Sequence, residues 1–156
     1  MDFNITPYIS IGPLELGMTR AQIRACLRGN PVFLPAESNS VDADLDRPAS
    51  DYFEEDDVKV EYDDKMECEF VEVGAKSNVI LNGVSLFDLS FAELYNYLQS
   101  LDADLLESDA GCISLGLGIA IFGEECLDDP QQPCELISLF KRGYYDELLG
   151  ENAIAG

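Results

Sequence analysis

The chain has 156 residues, of which 47% are hydrophobic and 10% aromatic, and this composition predicts a folded body with its own core rather than a disordered acidic tail. Its 31 acidic residues outnumber 9 basic residues, which gives a formal net charge of −22 at pH 7. Nucleic acids and anionic membrane surfaces are bound by clustered Lys and Arg, so the charge balance excludes both as expected direct partners.

The start of the chain and its cysteines indicate the compartment. Residues 1–10 carry neither the basic cluster nor the apolar run of a signal peptide, and no stretch approaches the roughly 18 apolar residues of a transmembrane helix. The odd number of cysteines, without a C-x-x-C spacing, favours free thiols in a reducing environment. We interpret most of them as small core residues: Cys26, Cys68, Cys112, Cys126 and Cys134. The sequence therefore predicts a cytoplasmic protein.

Two segments, residues 12–27 and 83–98, follow one pattern at a constant offset of 71 positions. Each is expected to start a helix with a capping box, in which two side chains satisfy two helix amides reciprocally: Thr19 with Gln22, and Ser90 with Glu93. Chance similarity between two amphipathic helix starts is the alternative to a duplication. We predict an α+β fold of two similar halves, residues 1–78 and 79–150, followed by a frayed tail at 151–156.

Antiparallel strands are expected after each helix. In the first half, an alternating run, the turn at residues 63–65 and a returning run predict a hairpin with a bulge at Phe70 and Val71. Residues 31–57 lie between the first helix and this hairpin, and their three prolines, many acids and missing periodicity predict an irregular surface excursion. The expected strands are residues 58–62, 67–73, 113–122 and 136–140.

The strongest charge signal lies between Glu37 and Glu72, where 15 acidic residues face three basic ones, a net charge of −12. A solvated face that keeps the protein soluble is the plain interpretation of such a run. Residues 51–57, however, interleave two aromatic rings with five carboxylates, and large rings are typical of interface centres rather than of solubilising tails. The run therefore predicts a dock for Arg and Lys side chains.

Two tyrosines near the C-terminus, Tyr144 and Tyr145, follow the adjacent cations Lys141 and Arg142. They are interpreted either as rings that close the core or as exposed anchors for a partner. The predicted partner-binding residues are Asp51, Tyr52, Phe53, Glu54, Glu55, Asp56, Asp57, Glu61, Asp63, Asp64, Tyr144 and Tyr145.

Catalytic chemistry has little support in the sequence. The chain contains no His, which removes the usual general base near neutral pH and the commonest zinc ligand. Asp42, Asp44 and Asp46 have the spacing of a calcium loop, but Arg47 and Phe53 stand where an EF-hand needs Gly and Glu. The sequence predicts no catalytic residues, no metal site and no cofactor.

Residues 17–27, followed by a hairpin and a second copy, resemble the helix-then-sheet unit of the small barrel-assembly lipoprotein and of β-lactamase inhibitory protein, which is a tandem of two such units. Residues 9–18, 58–62, 80–84, 117–122 and 139–146 resemble small bacterial immunity-type proteins of polymorphic toxin systems. The resemblance implies a fold that occludes the active site of another protein with the exposed surface of a sheet.

Charge and resemblance together predict a function. The expected protein is an acidic immunity protein that binds and neutralises one basic toxin domain in a 1:1 complex, with acidic side chains standing in for the phosphates of a nucleic-acid substrate. A non-inhibitory adaptor for a basic host protein is one alternative. A small hydrolase that uses paired carboxylates is another.

Overall fold

The computed structural model describes residues 2–37, 47–108, 110–123 and 128–145. These residues form a mixed α+β structure of two helices and two sheets, which confirms the predicted class. The helices are α1 (Arg20–Cys26) and α2 (Phe91–Leu101), with a 3-10 turn at Leu86–Asp88 before α2. The strands are β1 (Asp2–Thr6), β2 (Ser10–Ile11), β3 (Leu14–Glu15), β4 (Val32–Leu34), β5 (Ala49–Phe53), β6 (Val58–Tyr62), β7 (Cys68–Gly74), β8 (Asn78–Leu81), β9 (Val84–Ser85), β10 (Leu106–Ser108), β11 (Gly111–Ser114), β12 (Ile119–Phe122) and β13 (Leu136–Phe140).

Both predicted capping boxes are present. At α1 the Gln22 amide donates to Thr19 Oγ1 at 3.3 Å, and the Thr19 amide donates to Gln22 Oε1 at 2.9 Å. At α2 the pair of Ser90 and Glu93 makes the same two bonds at 3.1 and 3.0 Å. Because each box satisfies amides that have no partner within the helix, the sequence sets where both helices begin.

The larger sheet has eight strands in the order β10-β11-β12-β13-β7-β6-β5-β4, and every neighbouring pair is antiparallel. Helix α1 is followed by the four-stranded meander β4 to β7, and α2 is followed by the meander β10 to β13. The two meanders meet at their last strands, where Val71 of β7 lies opposite Leu139 of β13. The strand order is therefore symmetric about this junction.

The smaller sheet has the order β3-β2-β1-β8-β9, with β1 and β8 parallel at its centre. Its side chains, those of both helices and those of one face of the larger sheet form one core, which includes Phe3, Ile23, Val60, Leu94 and Ile137. We call this face of the larger sheet the inner face and the opposite one the outer face. A second, smaller cluster lies on the outer face around Phe70, Ile113, Ala120 and Phe140.

The prediction of an irregular excursion at residues 31–57 is wrong for the part that the structure describes. Strands β4 and β5 lie within it and extend the larger sheet by two strands. Ala49 and Phe53 of β5 are buried on the inner face, as period-two alternation requires. The alternation is hidden in the sequence because the inward position between them is Asp51, which is neutralised by arginines from α1.

Two smaller expectations also need correction. Residues 113–122 form two strands rather than one, because the segment between β11 and β12 is a tight turn in which the Gly118 amide donates to the Ser114 carbonyl. Gly118 has a φ of 74°, and a Cβ there would lie 2.7 Å from the Tyr8 ring, so the position requires glycine. The bulge lies at Glu69 rather than at Phe70 and Val71, since the register shifts between Glu61 and Tyr62.

The search for membrane-spanning helices found no helix of sufficient length and hydropathy among the described residues. Residues 151–156 of the expected tail lie outside the described residues, as does Cys126. Of the other four cysteines, Cys68, Cys112 and Cys134 are buried and Cys26 is half-buried.

Candidate functional surface

Strand β5 divides the predicted acidic dock between two faces. Asp51 points inward and is fully buried, where Arg20 Nε and Arg24 Nη2 each lie 3.1 Å from its carboxylate. Tyr62 donates its hydroxyl proton to Asp51 Oδ2 at 2.8 Å. Phe53 is also buried in the core at 1% exposure. The prediction that these two residues present themselves to a partner is therefore wrong; Asp51 fastens α1 to the sheet, and Phe53 belongs to the core.

The turn between β5 and β6 holds the next four predicted residues, and only part of it is open. Asp56 is 3% exposed and accepts a hydrogen bond from Arg28 Nη2 at 3.0 Å, so it too serves the fold. Glu54 and Glu55 are exposed, and Glu55 lies 3.9 Å from Arg28. Asp57 has a φ of 54° and is half-buried. The turn therefore displays the carboxylates of Glu54, Glu55 and Asp57 and keeps that of Asp56 inside.

Tyr52 points outward from β5 and joins this turn to the outer face. Its hydroxyl donates to Asp57 Oδ1 at 2.7 Å, and its ring is 39% exposed. Lys59 of β6 lies opposite Tyr52 in the register, and Glu72 of β7 lies opposite Lys59. Because directly opposed residues share one face, Tyr52, Lys59 and Glu72 form a row across the outer face, from an exposed ring to a half-buried carboxylate.

Glu61 lies two residues beyond Lys59 on the same face. It is 8% exposed, with Lys59 Nζ at 3.1 Å from one carboxylate oxygen, and the Tyr144 hydroxyl donates to Oε1 at 2.5 Å. Burial raises the pKa of Glu72, Lys59 opposes the shift, and Glu61 and Asp57 add to it. The centre of the outer face therefore holds more negative charge than its one lysine neutralises.

The opposite end of β6 carries Asp63 and Asp64. Burial raises the pKa of Asp63, but the amides of Glu67 and Lys65 and the ammonium group of Lys141 outweigh it, so the pKa lies below its ordinary value. Lys141 Nζ lies 3.4 Å from Asp63 and 3.2 Å from Glu69. Asp64 is exposed.

Tyr144 and Tyr145 close the outer cluster. Tyr144 stacks on Phe70 with ring centroids 5.0 Å apart, and Tyr145 meets Phe140 edge-on at 4.8 Å. Burial raises the pKa of both phenols, in the case of Tyr145 to about 12. Both rings are half-buried, so the structure favours the core-closing interpretation over that of exposed anchors.

Sequence reasoning missed an apolar strip beside the acidic turn. Val32 and Leu34 of β4 point away from the core and are 60% and 52% exposed, and Val32 lies directly opposite Tyr52. The signal for this strip was the run of Val32, Phe33 and Leu34 between two prolines, which is typical of a short edge strand. We call Val32, Leu34, Tyr52, Glu54, Glu55, Asp57, Lys59, Glu61 and Glu72 the outer docking surface.

Metal-binding groups are not assembled in the described ranges. No cluster of three or more His, Cys, Asp or Glu side chains with metal-binding geometry occurs there. The predicted calcium-like spacing at Asp42, Asp44 and Asp46 lies outside the described residues. Burial raises the pKa of the thiols of Cys68 and Cys112 to about 12, which keeps these sulfurs protonated and unreactive at neutral pH.

No family model, curated protein or solved structure matches the chain.

The Glu72→Gln variant is expected to be more stable than the wild type at neutral pH. The folded-state pKa of Glu72 lies above its unfolded value, so ionisation of this carboxylate lowers stability as the pH rises through that window. Below about pH 4 the group is protonated in both states and the advantage of glutamine should disappear. Urea unfolding at neutral pH and at about pH 4 measures the difference.

A matched control for this prediction is Glu135→Gln, whose side chain is exposed and should leave the free energy of unfolding unchanged. A Glu72→Gln variant that is less stable than the wild type at neutral pH would show that the attraction to Lys59 outweighs burial.

Proposed function

We propose that the chain is an acidic immunity protein, which binds one basic bacterial toxin domain with its outer docking surface and neutralises it by covering its active site. The protein acts as a stoichiometric 1:1 inhibitor in the cytoplasm and not as an enzyme. Toxins that act on nucleic acid suit this role best, because they offer a cationic cleft for an anionic surface.

One observation carries the proposal: large exposed apolar side chains lie next to a group of carboxylates that outnumber the cations paired with them, on a face that the helices leave open. Val32, Leu34 and Tyr52 supply apolar area, which interface centres require. Glu54 and Glu55 lie at its border and are exposed. A surface that only kept the protein soluble would not need the exposed valine and leucine beside its acids.

The distribution of cations supports the same conclusion. Three of the nine basic residues, Arg20, Arg24 and Arg28, pair with carboxylates at the inner face or in the β5–β6 turn. They stabilise the fold. At the outer docking surface Lys59 pairs with Glu61, Arg28 also approaches Glu55, and the Lys76 ammonium donates to the Glu54 carbonyl, so the carboxylates of this surface outnumber the cations beside it. The surface charge therefore stays negative after internal pairing, and a cationic partner satisfies it best.

The arrangement of the strands supports occlusion by a sheet. Each capped helix is followed by four antiparallel strands, and each is preceded by a short β-hairpin whose turn holds a glycine with positive φ, Gly12 at 59° and Gly83 at 80°. We propose on this basis that the two halves arose by duplication. The joined meanders make one continuous face of eight strands.

The test is capture of a partner with the tagged chain from the source cell, followed by co-expression. A captured protein with a positively charged domain should arrest growth when expressed alone, and the chain should restore growth by forming a 1:1 complex. Binding without rescue would indicate the non-inhibitory adaptor, and a captured protein of neutral or negative charge would contradict the proposal.

A further inference from the structure

The edge strand β4 has an unpaired side. Within the part of the chain that the structure describes, β4 pairs with β5 and with no other strand. Along an antiparallel edge strand, every second residue does not bond to the neighbouring strand. Such a residue points both its N–H and its C=O group away from the sheet. Pro31 and Pro35 flank the strand but lie outside it, so each residue of β4 keeps its N–H group.

The side chains of β4 also leave this edge unprotected. Of the other edge strands, β3 and β10 each carry an exposed glutamate, Glu15 and Glu107, which discourages a further strand from pairing there, and the two-residue strand β9 is uncharged but has no exposed side chain. Strand β4 has no charged residue, and its outward side chains Val32 and Leu34 are more than half exposed. An apolar, uncharged edge of this kind favours the addition of a strand.

The net charge of the chain and the acidic turn beside β4 indicate which kind of segment can pair with the β4 edge. A second copy of this chain would bring together two bodies that each carry a net charge of −22, which strongly disfavours self-pairing. The Val32 end of β4 lies beside the β5–β6 turn, where Glu54 and Glu55 are exposed. A basic segment places its cations against these carboxylates and its apolar side chains beside Val32.

We infer that the free edge of β4 docks one extended, basic segment of a protein partner, which pairs with β4 as an additional strand of the larger sheet. This inference rests on the proposed function and adds that the partner binds through one extended segment. Backbone hydrogen bonds to β4 supply affinity, while the apolar strip and the acidic turn select alternating apolar and basic side chains.

The test uses the intact chain and a fluorescein-labelled peptide of alternating Val and Arg, about eight residues long. Two further peptides carry N-methyl groups on every second amide. One is methylated at the odd-numbered residues and the other at the even-numbered residues. Strand addition uses the amides of one phase only, so one methylated peptide should bind about tenfold more weakly than the parent while the other binds equally well. Exchange of the β4 amides with solvent should slow when the parent peptide is bound.

Each outcome of this test decides a separate point. Equal affinity of the two methylated peptides, unprotected β4 amides, or no binding would overturn strand addition. In that case, the variant that combines Glu54→Lys and Glu55→Lys is compared with the wild type. If the parent peptide binds this variant more weakly, the acidic surface of the proposed function stands even though strand addition fails. Concentration-dependent dimers at high salt that protect the β4 amides would instead identify a second copy as the occupant.

Discussion

Replacing Asp51 with alanine is expected to lower the free energy of unfolding by about 3 kcal/mol. The side chain is fully buried, and its carboxylate is the common acceptor of Arg20, Arg24 and Tyr62. Its removal leaves the Tyr62 hydroxyl buried without this acceptor and leaves two guanidinium groups unpaired beside the core. Both arginines are partly exposed and regain some hydration, which keeps the loss at the lower end of the range for broken buried ion pairs.

Urea unfolding of Asp51→Ala, of Asp51→Asn and of the control Asp64→Ala measures this effect. Asparagine keeps an acceptor for Tyr62 but loses the charge. The stability of the Asp51→Asn variant should therefore lie between that of Asp51→Ala and that of the wild type. Asp64 is exposed in the turn between β6 and β7, and its replacement should change stability by less than about 0.5 kcal/mol. A loss below 1 kcal/mol for Asp51→Ala would mean that the contact with the arginines contributes little to folding.

The sequence was most informative where local chemistry decides the structure. Thr19 and Ser90 begin helices because each hydroxyl meets an amide three residues later, and this bond depends on no distant part of the chain. The β6–β7 hairpin follows from alternation on either side of a turn, in which the Asp63 carboxylate accepts from the Lys65 and Glu67 amides. Both features could therefore be predicted from residues close in sequence.

The candidate surface was predicted less well because burial of Asp51 depends on residues about thirty positions away. Its neighbours Ala49 and Phe53 have the alternation of a strand, but a carboxylate between them suggested an exposed loop. One signal was present: Arg20 and Arg24 are four residues apart, which places both cations on one side of α1, and Arg28 follows two residues after the helix ends at Cys26. A cationic stripe of this kind needs buried acids opposite it, and residues 51–56 supply them.

The division of the acidic run has a consequence for the function. A carboxylate in a run of acids was expected to face a partner, yet Asp51 and Asp56 are held by arginines of the same chain. The residues that remain available lie on alternate positions or at the turn, where Glu54 and Glu55 are exposed. Net charge therefore identifies the kind of partner, whereas the pleat of the sheet decides which acids contact it.

Charge reversal on the outer docking surface should have the largest effect on binding. The variant combines Glu54→Lys and Glu55→Lys, because these side chains are exposed whereas Asp56 and Asp57 take part in the fold. Opposed like charges at an interface cost several kcal/mol, so affinity for a basic partner should fall by about a hundredfold or more.

The matched control reverses the same number of charges away from this surface, at Glu15 and Asp88. Both are exposed; Glu15 lies on the smaller sheet and Asp88 lies in the 3-10 turn before α2. Since control and variant have the same net charge, long-range attraction of a cationic partner is reduced equally in both. Any difference in affinity between them then reports contact at the outer docking surface.

The most direct test of the proposed function is the affinity of the captured basic partner for the wild type, the variant and this control, measured at physiological salt. If the anionic sheet face binds the cationic protein, the affinity should fall by about a hundredfold in the variant and by less than about threefold in the control. Equal losses in both, or an unchanged affinity in the variant, would show that the partner binds elsewhere.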